Sequence, residues 1–423
     1  MSRLKVLVSA YACHPLATEG SFPGEAILGW NIVRQLARYH DVTVLTRPYN
    51  REALERGLRE NGLEAVCFYP SLPRFFAPLL KHYLGFSLYY LFWQMRAYGL
   101  ARRLLRRGRF DVFHQVTFAN DWMPSFIGAC LDMPFIWGPL GGAHRTPPAL
   151  LAELGPKFRR KEMIREALKD VWRATPLRRR GLKRAAAILV CNRETETALA
   201  AAGPRLRFFP VNGIDPAELP PAAPAGEERE PGFRVVFAGR LDPIKGLKLG
   251  VRAFAAFGRT NPGATFEIVG SGEAGAEVRE LVGRLELSDR VLFTPWLSRP
   301  ELMRRLRRSD VLLFPSFRDG GGAVVVEAMA CGKPVICLAT GGPAFHVREE
   351  WGVKVPPGDP DSVVAGLAAA LTRLAADPAL RERLGRAGRE RVESFYLWDK
   401  LGDRLAGIYR EVLPGRRPEE ERP

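Results

Sequence analysis

At 423 residues, 47% apolar and 26% charged, the chain is too long for one ordinary domain and has the composition of a globular protein with material for two cores. Its net charge of +17, largely arginine, favours polyanions: nucleic acid, an anionic membrane face or phosphorylated substrates. The most apolar stretch, residues 82–95, is closed off by Lys81 and Arg96 and falls short of the roughly 20 residues that a membrane span needs.

Taken in order, the chain opens with a predicted strand over residues 4–9, whose apolar run is too brief for a signal peptide. A loop bearing Gly20 and Gly24 follows, then a helix near residues 26–38 and a strand at 42–46. Further strands are predicted at 110–115, 135–138 and 187–191. The Pro- and Glu-rich segment 216–232 breaks every periodicity and reads as a linker or surface loop. A second series restarts at 233–239 and continues at 265–269, 291–293, 311–314 and 335–338, with helices at 248–258 and 276–285 between. Ser298-Arg-Pro-Glu301 is a capping box that opens another helix. Strands alternating with helices give parallel sheets with right-handed crossovers. The expected architecture is therefore α/β: an N-terminal Rossmann-like domain over 1–210, a linker over 211–232 and a C-terminal Rossmann-like domain over 233–395. Two such sheets in one chain imply a cleft between them. A last helix, within 396–415, is long enough to return to the first domain. Cys13, Cys67, Cys130, Cys191, Cys331 and Cys337 show no paired spacing and read as reduced core residues of a cytosolic protein.

Two matches mislead. Gly270-Ser-Gly-Glu-Ala-Gly275 has dinucleotide-loop spacing but follows the second strand of its unit, with no acid closing a later strand at the right distance. Gly270 and Gly272 remain neighbours of a phosphate or ribose. Asp359-Pro-Asp361 resembles a metal-binding Asp-x-Asp, yet its setting is a helix start with Asp359 as cap and Pro360 as first helical residue. No other cluster has metal-ligand spacing, so neither a metal site nor a cofactor is expected.

The informative stretch runs from Phe314 to Val335: a buried strand, then Asp319 with Gly320, Gly321 and Gly322, then an apolar helix holding Glu327. Glycines before a helix start let bare N–H groups meet an anion, and the helix dipole adds positive charge. Carboxylates at 319 and 327, with seven residues between them, suit sugar hydroxyls. Together these point to a nucleotide sugar. Upstream, Gly239, Arg240 and Lys245 sit just past the first strand of the second unit, where parallel sheets bind ligands. Transfer of a sugar leaves negative charge on a departing diphosphate. Two fixed cations would balance it, and losing one such group costs about 2.7–4 kcal/mol.

Ala-Gly-Arg-Leu-x-x-x-Lys-Gly, Val-Gly-Ser-Gly, and Pro-Ser-x-x-Asp-Gly-Gly-Gly with Glu327 eight positions past the aspartate together resemble the retaining family 4 glycosyltransferases of the GT-B fold. Ala10-Tyr-Ala-Cys-His-Pro, Pro23-Gly-Glu-Ala-Ile-Leu-Gly-Trp30, His114-Gln-Val-Thr-Phe118, Trp137-Gly-Pro-Leu-Gly-Gly142 and Asn212-Gly-Ile-Asp215 extend the likeness over nearly the whole chain. The resemblance implies that Arg240 and Lys245 hold the donor diphosphate and Glu327 the ribose. Asp319 and the amides of Gly320–Gly322 would hold the transferred sugar and phosphate. Gly24 would let its loop close over donor and acceptor, and His114 would meet the donor sugar from a strand end. The Trp296–Leu297 segment would offer backbone groups to the nucleobase. Asp319 stands where the family carries glutamate, which shortens the reach to the sugar, and the triple glycine replaces the common Gly-Phe-Gly. Retention in this family is explained by same-face attack, the leaving phosphate taking the acceptor proton.

The implied partners are a nucleotide-sugar donor, a glycan, lipid-linked or small-molecule acceptor, and, from the mix of arginine and aromatic residues between Arg74 and Arg109, an anionic membrane surface. A core helix followed by a solvated basic face explains that last region equally well. Rival readings are a nucleotide-sugar epimerase or phosphorylase of the same fold, and a non-catalytic polyanion binder. Nucleic acid is disfavoured as a partner, because the aromatics do not alternate with the basic residues in a stacking register.

Overall fold

The computed structural model describes residues 3–16, 23–81, 83–221 and 232–413. They divide into two compact units: one formed by 1–143, 165–211 and 398–423, the other by 144–164 and 212–397. Gly20 and residues 222–231 of the expected linker lie outside the described residues.

The first unit is built on a seven-stranded, wholly parallel sheet. In chain order its strands are β1 (Lys5–Ser9), β2 (Asp41–Leu45), β3 (Ala65–Phe68), β4 (Val112–Gln115), β5 (Phe135–Leu140), β6 (Ala185–Val190) and β7 (Leu206–Phe208), arranged β3-β2-β1-β4-β5-β6-β7. β4 and β5 are buried throughout and β1 from Val6 onward, as central strands of a parallel sheet covered on both faces are. Helix Pro23–Tyr39 packs Ile32, Val33 and Leu36 into one side of this core. Helix Tyr83–Arg107 sends Tyr90, Trp93, Ala97 and Ala101 into the other. Helix Trp398–Val412 lies against Pro23–Tyr39, with Leu401, Leu405 and Ile408 buried. A Cβ at Gly402 would stand 2.4 Å from Gln35 Oε1, so glycine permits this close crossing. Tyr39 O–H donates to Asp403 Oδ1 across it at 2.8 Å.

The second unit has a six-stranded parallel sheet of β8 (Arg234–Ala238), β9 (Thr265–Val269), β10 (Val291–Thr294), β11 (Val311–Phe314), β12 (Val335–Leu338) and β13 (Gly352–Val355), ordered β10-β9-β8-β11-β12-β13. This is the doubly wound arrangement, with the chain leaving β8 toward one edge and returning through β11 to build the other. Phe237 and Phe314 stack between the two central strands at 5.9 Å. Residues 144–164, which sequence reasoning placed in the N-terminal domain, pack with this unit, burying Leu150 and Leu154 in its core.

The helix starts follow the expected chemistry. Ser298 and Glu301 form the capping box of helix Arg299–Arg308. Asp359 Oδ1 accepts from the amides of Asp361 and Ser362, capping helix Pro360–Ala376, so capping accounts for that Asp-x-Asp. Gly24 is corrected: it lies in the first turn of helix Pro23–Tyr39, which begins three residues before the expected start. Proline at the first helical position, with φ already suited to the helix, explains the earlier start. Among the described residues no single helix is long and apolar enough to cross a membrane, and no group of three or more His, Cys, Asp or Glu is arranged to hold a metal.

Candidate active site

In a doubly wound sheet the two loops that part company at the reversal point leave a crevice at the carboxyl ends of the strands. Here those loops follow β8 and β11, and they carry Gly239 to Gly246 and Pro315 to Gly322. Three contacts lock them in place. Gly239 has φ 151°, and its N–H donates to Val269 O at 3.0 Å. Gly246 is left-handed at φ 65°, and a Cβ there would fall 2.0 Å from Pro315 O. The Phe317 amide donates to Ile244 O at 2.9 Å. The short turn Pro243–Lys245 is thereby pressed onto the β11 loop and presents Lys245 inward.

Lys245 Nζ donates to Asp319 Oδ2, and both side chains are largely enclosed. Asp319 Oδ1 accepts from the amides of Gly321 at 3.0 Å and Gly322 at 2.7 Å. Burial alone would raise the pKa of this carboxyl. The Lys245 ammonium and the two amides outweigh it and hold the group down at about 2. Asp319 thus stays charged, draws the triple glycine into a turn and aims Gly322, at φ 61°, into helix Ala323–Ala330. One expectation is corrected here: two of the three glycine amides proposed to grip the ligand are occupied by Asp319 itself. What this geometry leaves open is the start of the helix, whose first N–H groups have no intrahelical acceptor.

Glu327 lies one turn into that helix, half-buried, with Oε1 3.4 Å from Arg299 Nε. Burial raises its pKa, Arg299 opposes the rise, and Glu218 adds to it. Arg240 sits apart from this cluster: it is 68% exposed and pairs with Asp242 at 3.0 Å. Of the two expected cations, Lys245 is built into the site while Arg240 stands at its rim. Leu297 packs partly into the unit's core, and Trp296 beside it is exposed.

Gly270 and Gly272 serve loop packing. A Cβ at Gly270 would lie 2.0 Å from Gly239 O, and one at Gly272 would lie 2.7 Å from the Leu241 backbone. Their sequence pattern therefore reports how tightly the β9 loop rests on the β8 loop.

His114 is a correction. Its ring is wholly buried in the first unit rather than at an open strand end. One ring nitrogen, Nε2, lies 2.8 Å from Gly138 O and the other, Nδ1, 2.7 Å from the Tyr409 hydroxyl. A carbonyl can only accept, so Nε2 carries the proton and Nδ1 accepts from the tyrosine. Burial lowers the pKa to about 4 and keeps the ring neutral. Both nitrogens are spent on structure.

The second unit repeats this device with a residue that sequence reasoning missed. His346 donates from Nε2 to Gly321 O at 2.7 Å and accepts at Nδ1 from Tyr396 at 2.8 Å, its pKa likewise lowered by burial to about 4. It braces the triple glycine from behind. Gly341 and Gly342 do the same through backbone: Gly342 N–H donates to Asp319 O at 2.9 Å, and a Cβ at Gly341 would stand 2.2 Å from that oxygen. On another side the His144 ring packs on Gly320, with Cε1 3.3 Å from where a Cβ would be. A histidine that packs on a distant glycine or pairs with a distant tyrosine carries no local signature, so only the fold discloses it.

Comparisons with known proteins agree with this architecture. The family described as "Glycosyl transferases group 1" matches residues 223–391, and the "Glycosyl transferase 4-like domain" matches residues 29–211. A D-inositol 3-phosphate glycosyltransferase of Pseudarthrobacter chlorophenolicus is 31% identical over 316 residues, 69% of this chain and 69% of the relative. The corresponding enzyme of Acidothermus cellulolyticus is 36% identical over 228 residues, 50% of this chain. There the chain spans about half the length of the curated relative, 49%. Anabaena Alr3699/HepE, solved in complex with UDP, superposes with a TM-score of 0.62 at 17% identity, covering 96% of this chain and 100% of that one. The chain belongs to the group 1 glycosyltransferases, with two Rossmann-like domains of the GT-B class.

Proposed function

We propose that the protein transfers a sugar from a nucleoside-diphosphate sugar to an acceptor hydroxyl, with retention and without a metal ion. The observation that carries this reading is the Lys245–Asp319–Gly322 cluster at the reversal point of the second sheet, immediately before a helix start. The ammonium of Lys245 and the helix N-terminus would meet a diphosphate as it gathers charge when the sugar leaves, and Arg240, exposed at the rim, would add a further cation. Glu327 would accept the ribose hydroxyls, and Asp319, kept ionised, would accept from the sugar. The leaving phosphate would take the acceptor's proton on the same face. UDP in the Anabaena neighbour and the sugar-transfer names of the relatives support a nucleotide-sugar donor.

A thermal-shift panel of UDP, GDP and ADP tests the site, because a ligand that binds only the folded chain raises its melting temperature. One of the three should stabilise the parent, and Arg240→Ala and Glu327→Ala should weaken its binding tenfold or more, about 1.4 kcal/mol. No shift from any of them at millimolar concentration, or parent-like shifts in both variants, overturns the assignment.

For the acceptor we infer a glycan or lipid-linked molecule of the cell envelope, met at an anionic membrane face on the cytoplasmic side. The supporting observation is helix Tyr83–Arg107 and the turn before it. Phe75, Leu80, Phe92 and Met95 are exposed there at 74%, 45%, 38% and 45%. Arg96, Arg102, Arg103 and Arg106 share the exposed face. Apolar groups flanked by arginines are what a headgroup layer accommodates.

A further inference from the structure

We propose that Arg299 is a positioning residue for donor specificity: it aims the Glu327 carboxylate so that the site recognises the hydroxyls of a ribonucleotide. The inference rests on the reading of Glu327 as the ribose acceptor. Arg299 is the first residue of helix Arg299–Arg308, and the capping box of Ser298 and Glu301, with Pro300 inside it, fixes the direction in which its side chain departs. From there the guanidinium reaches two carboxylates, Glu327 through Nε at 3.4 Å and Glu218 through Nη1 at 3.3 Å.

The looseness of the first contact is the point. Arg299 Nε is buried and makes no hydrogen bond, so the pair balances charge without occupying the Glu327 lone pairs. A closed, bidentate pair would tie up both carboxylate oxygens and leave a ribose nothing to donate to. Glu218 draws the guanidinium the other way and keeps it from closing. Burial favours the protonated form of Glu327, and Arg299 is the cation that opposes it. An uncharged carboxyl is a poorer acceptor, because hydrogen bonds to an ionised group are about twice as strong as neutral ones. A planar, forked cation serves two carboxylates at once through nitrogens fixed in different directions.

The test compares the tightest binder among UDP, GDP and ADP with its 2′,3′-dideoxy analogue, by calorimetry on the full chain. The parent should prefer the ribonucleotide about 10–100-fold, the worth of a hydrogen bond to a charged group. In Arg299→Met the preference should fall below about threefold while affinity for the dideoxy analogue holds. Arg299→Lys, which keeps a cation but not the fork, should fall between. If the parent discriminates and both variants discriminate equally well, Arg299 has no such role. Equal weakening of both nucleotides in Arg299→Met means a merely structural contact and also overturns it. Should the Met variant fail to fold, a parent-like ratio in Arg299→Lys decides against the proposal. A parent that binds both nucleotides alike sinks the reading of Glu327 itself, and the inference with it.

Discussion

Two carboxylates show how surroundings set a residue's chemistry. Asp319, half-buried beside Lys245 and two amides, is held at about 2. Glu25, half-buried in the first unit, accepts a hydrogen bond from the Phe118 amide at 2.9 Å, and burial pushes it up to about 7. Phe118 itself is left-handed, at φ 51°, a conformation that this bond helps to hold. A carboxyl whose folded pKa exceeds its unfolded value contributes stability below the unfolded value, and loses it as pH rises through the folded one. The window here runs from about 4.5 to about 7. Partial contact with water limits the effect to about 2 kcal/mol. Glu25→Gln keeps an acceptor for Phe118 but nothing to ionise. Its melting temperature should fall less than the parent's between pH 5 and pH 8, and superimposable profiles would refute the burial argument.

At the scale of elements, the site is a clasp of loops, and glycine is its hinge pin. Gly246 combines a left-handed backbone with a Cβ position 2.0 Å from Pro315 O. Alanine there must both strain its own φ and displace the β11 loop, at a cost of about 2–4 kcal/mol in chemical denaturation. Donor binding should weaken with it, because Lys245 would move away from Asp319. An unaltered unfolding midpoint would mean that the clasp yields more easily than its contacts imply. Much of this was legible in advance. The central strands β1, β8, β11 and β12 stood out as apolar runs, and the caps at Ser298 and Asp359 as local chemistry. The edge strands β3, β7 and β13 went unpredicted because they are short and half-exposed, so no pattern of burial marks them. Lys245 and Asp319 were each marked by motif spacing, but their pairing was not. Nor was that of Arg299 with Glu327 or of His346 with Tyr396, because each pair joins residues from different elements and only packing selects the partner. His114 went wrong for the same reason: whether both ring nitrogens are satisfied is a tertiary fact.

Across the whole molecule the positive charge is unevenly placed. Residues 65–110 contain no Asp or Glu but eight cations, Arg74, Lys81, Arg96, Arg102, Arg103, Arg106, Arg107 and Arg109, against a total of +17. Nearly half the net charge thus falls in about a ninth of the chain, and its seven arginines are all exposed. A surface of this kind gains about 1 kcal/mol for each cation brought near anionic lipid, and the attraction is screened over about 8 Å at physiological salt. Exposed Phe75 and Phe92, whose rings both pack on Phe76 at 4.4 and 5.0 Å, would add apolar insertion that salt does not screen. The two contributions separate experimentally. Cosedimentation with phosphatidylserine-containing vesicles should be strong at low salt and weaken sharply by 0.5 M. Arg102→Glu with Arg106→Glu should abolish most of the binding. Phe75→Ser with Phe92→Ser should lower it at every salt concentration and leave the salt dependence unchanged. Neutral phosphatidylcholine vesicles should bind far less. Equal binding to both lipids, or none to the anionic one at low salt, would make these arginines an ordinary solvated face, since no membrane would then be reading the charge that the chain gathers there.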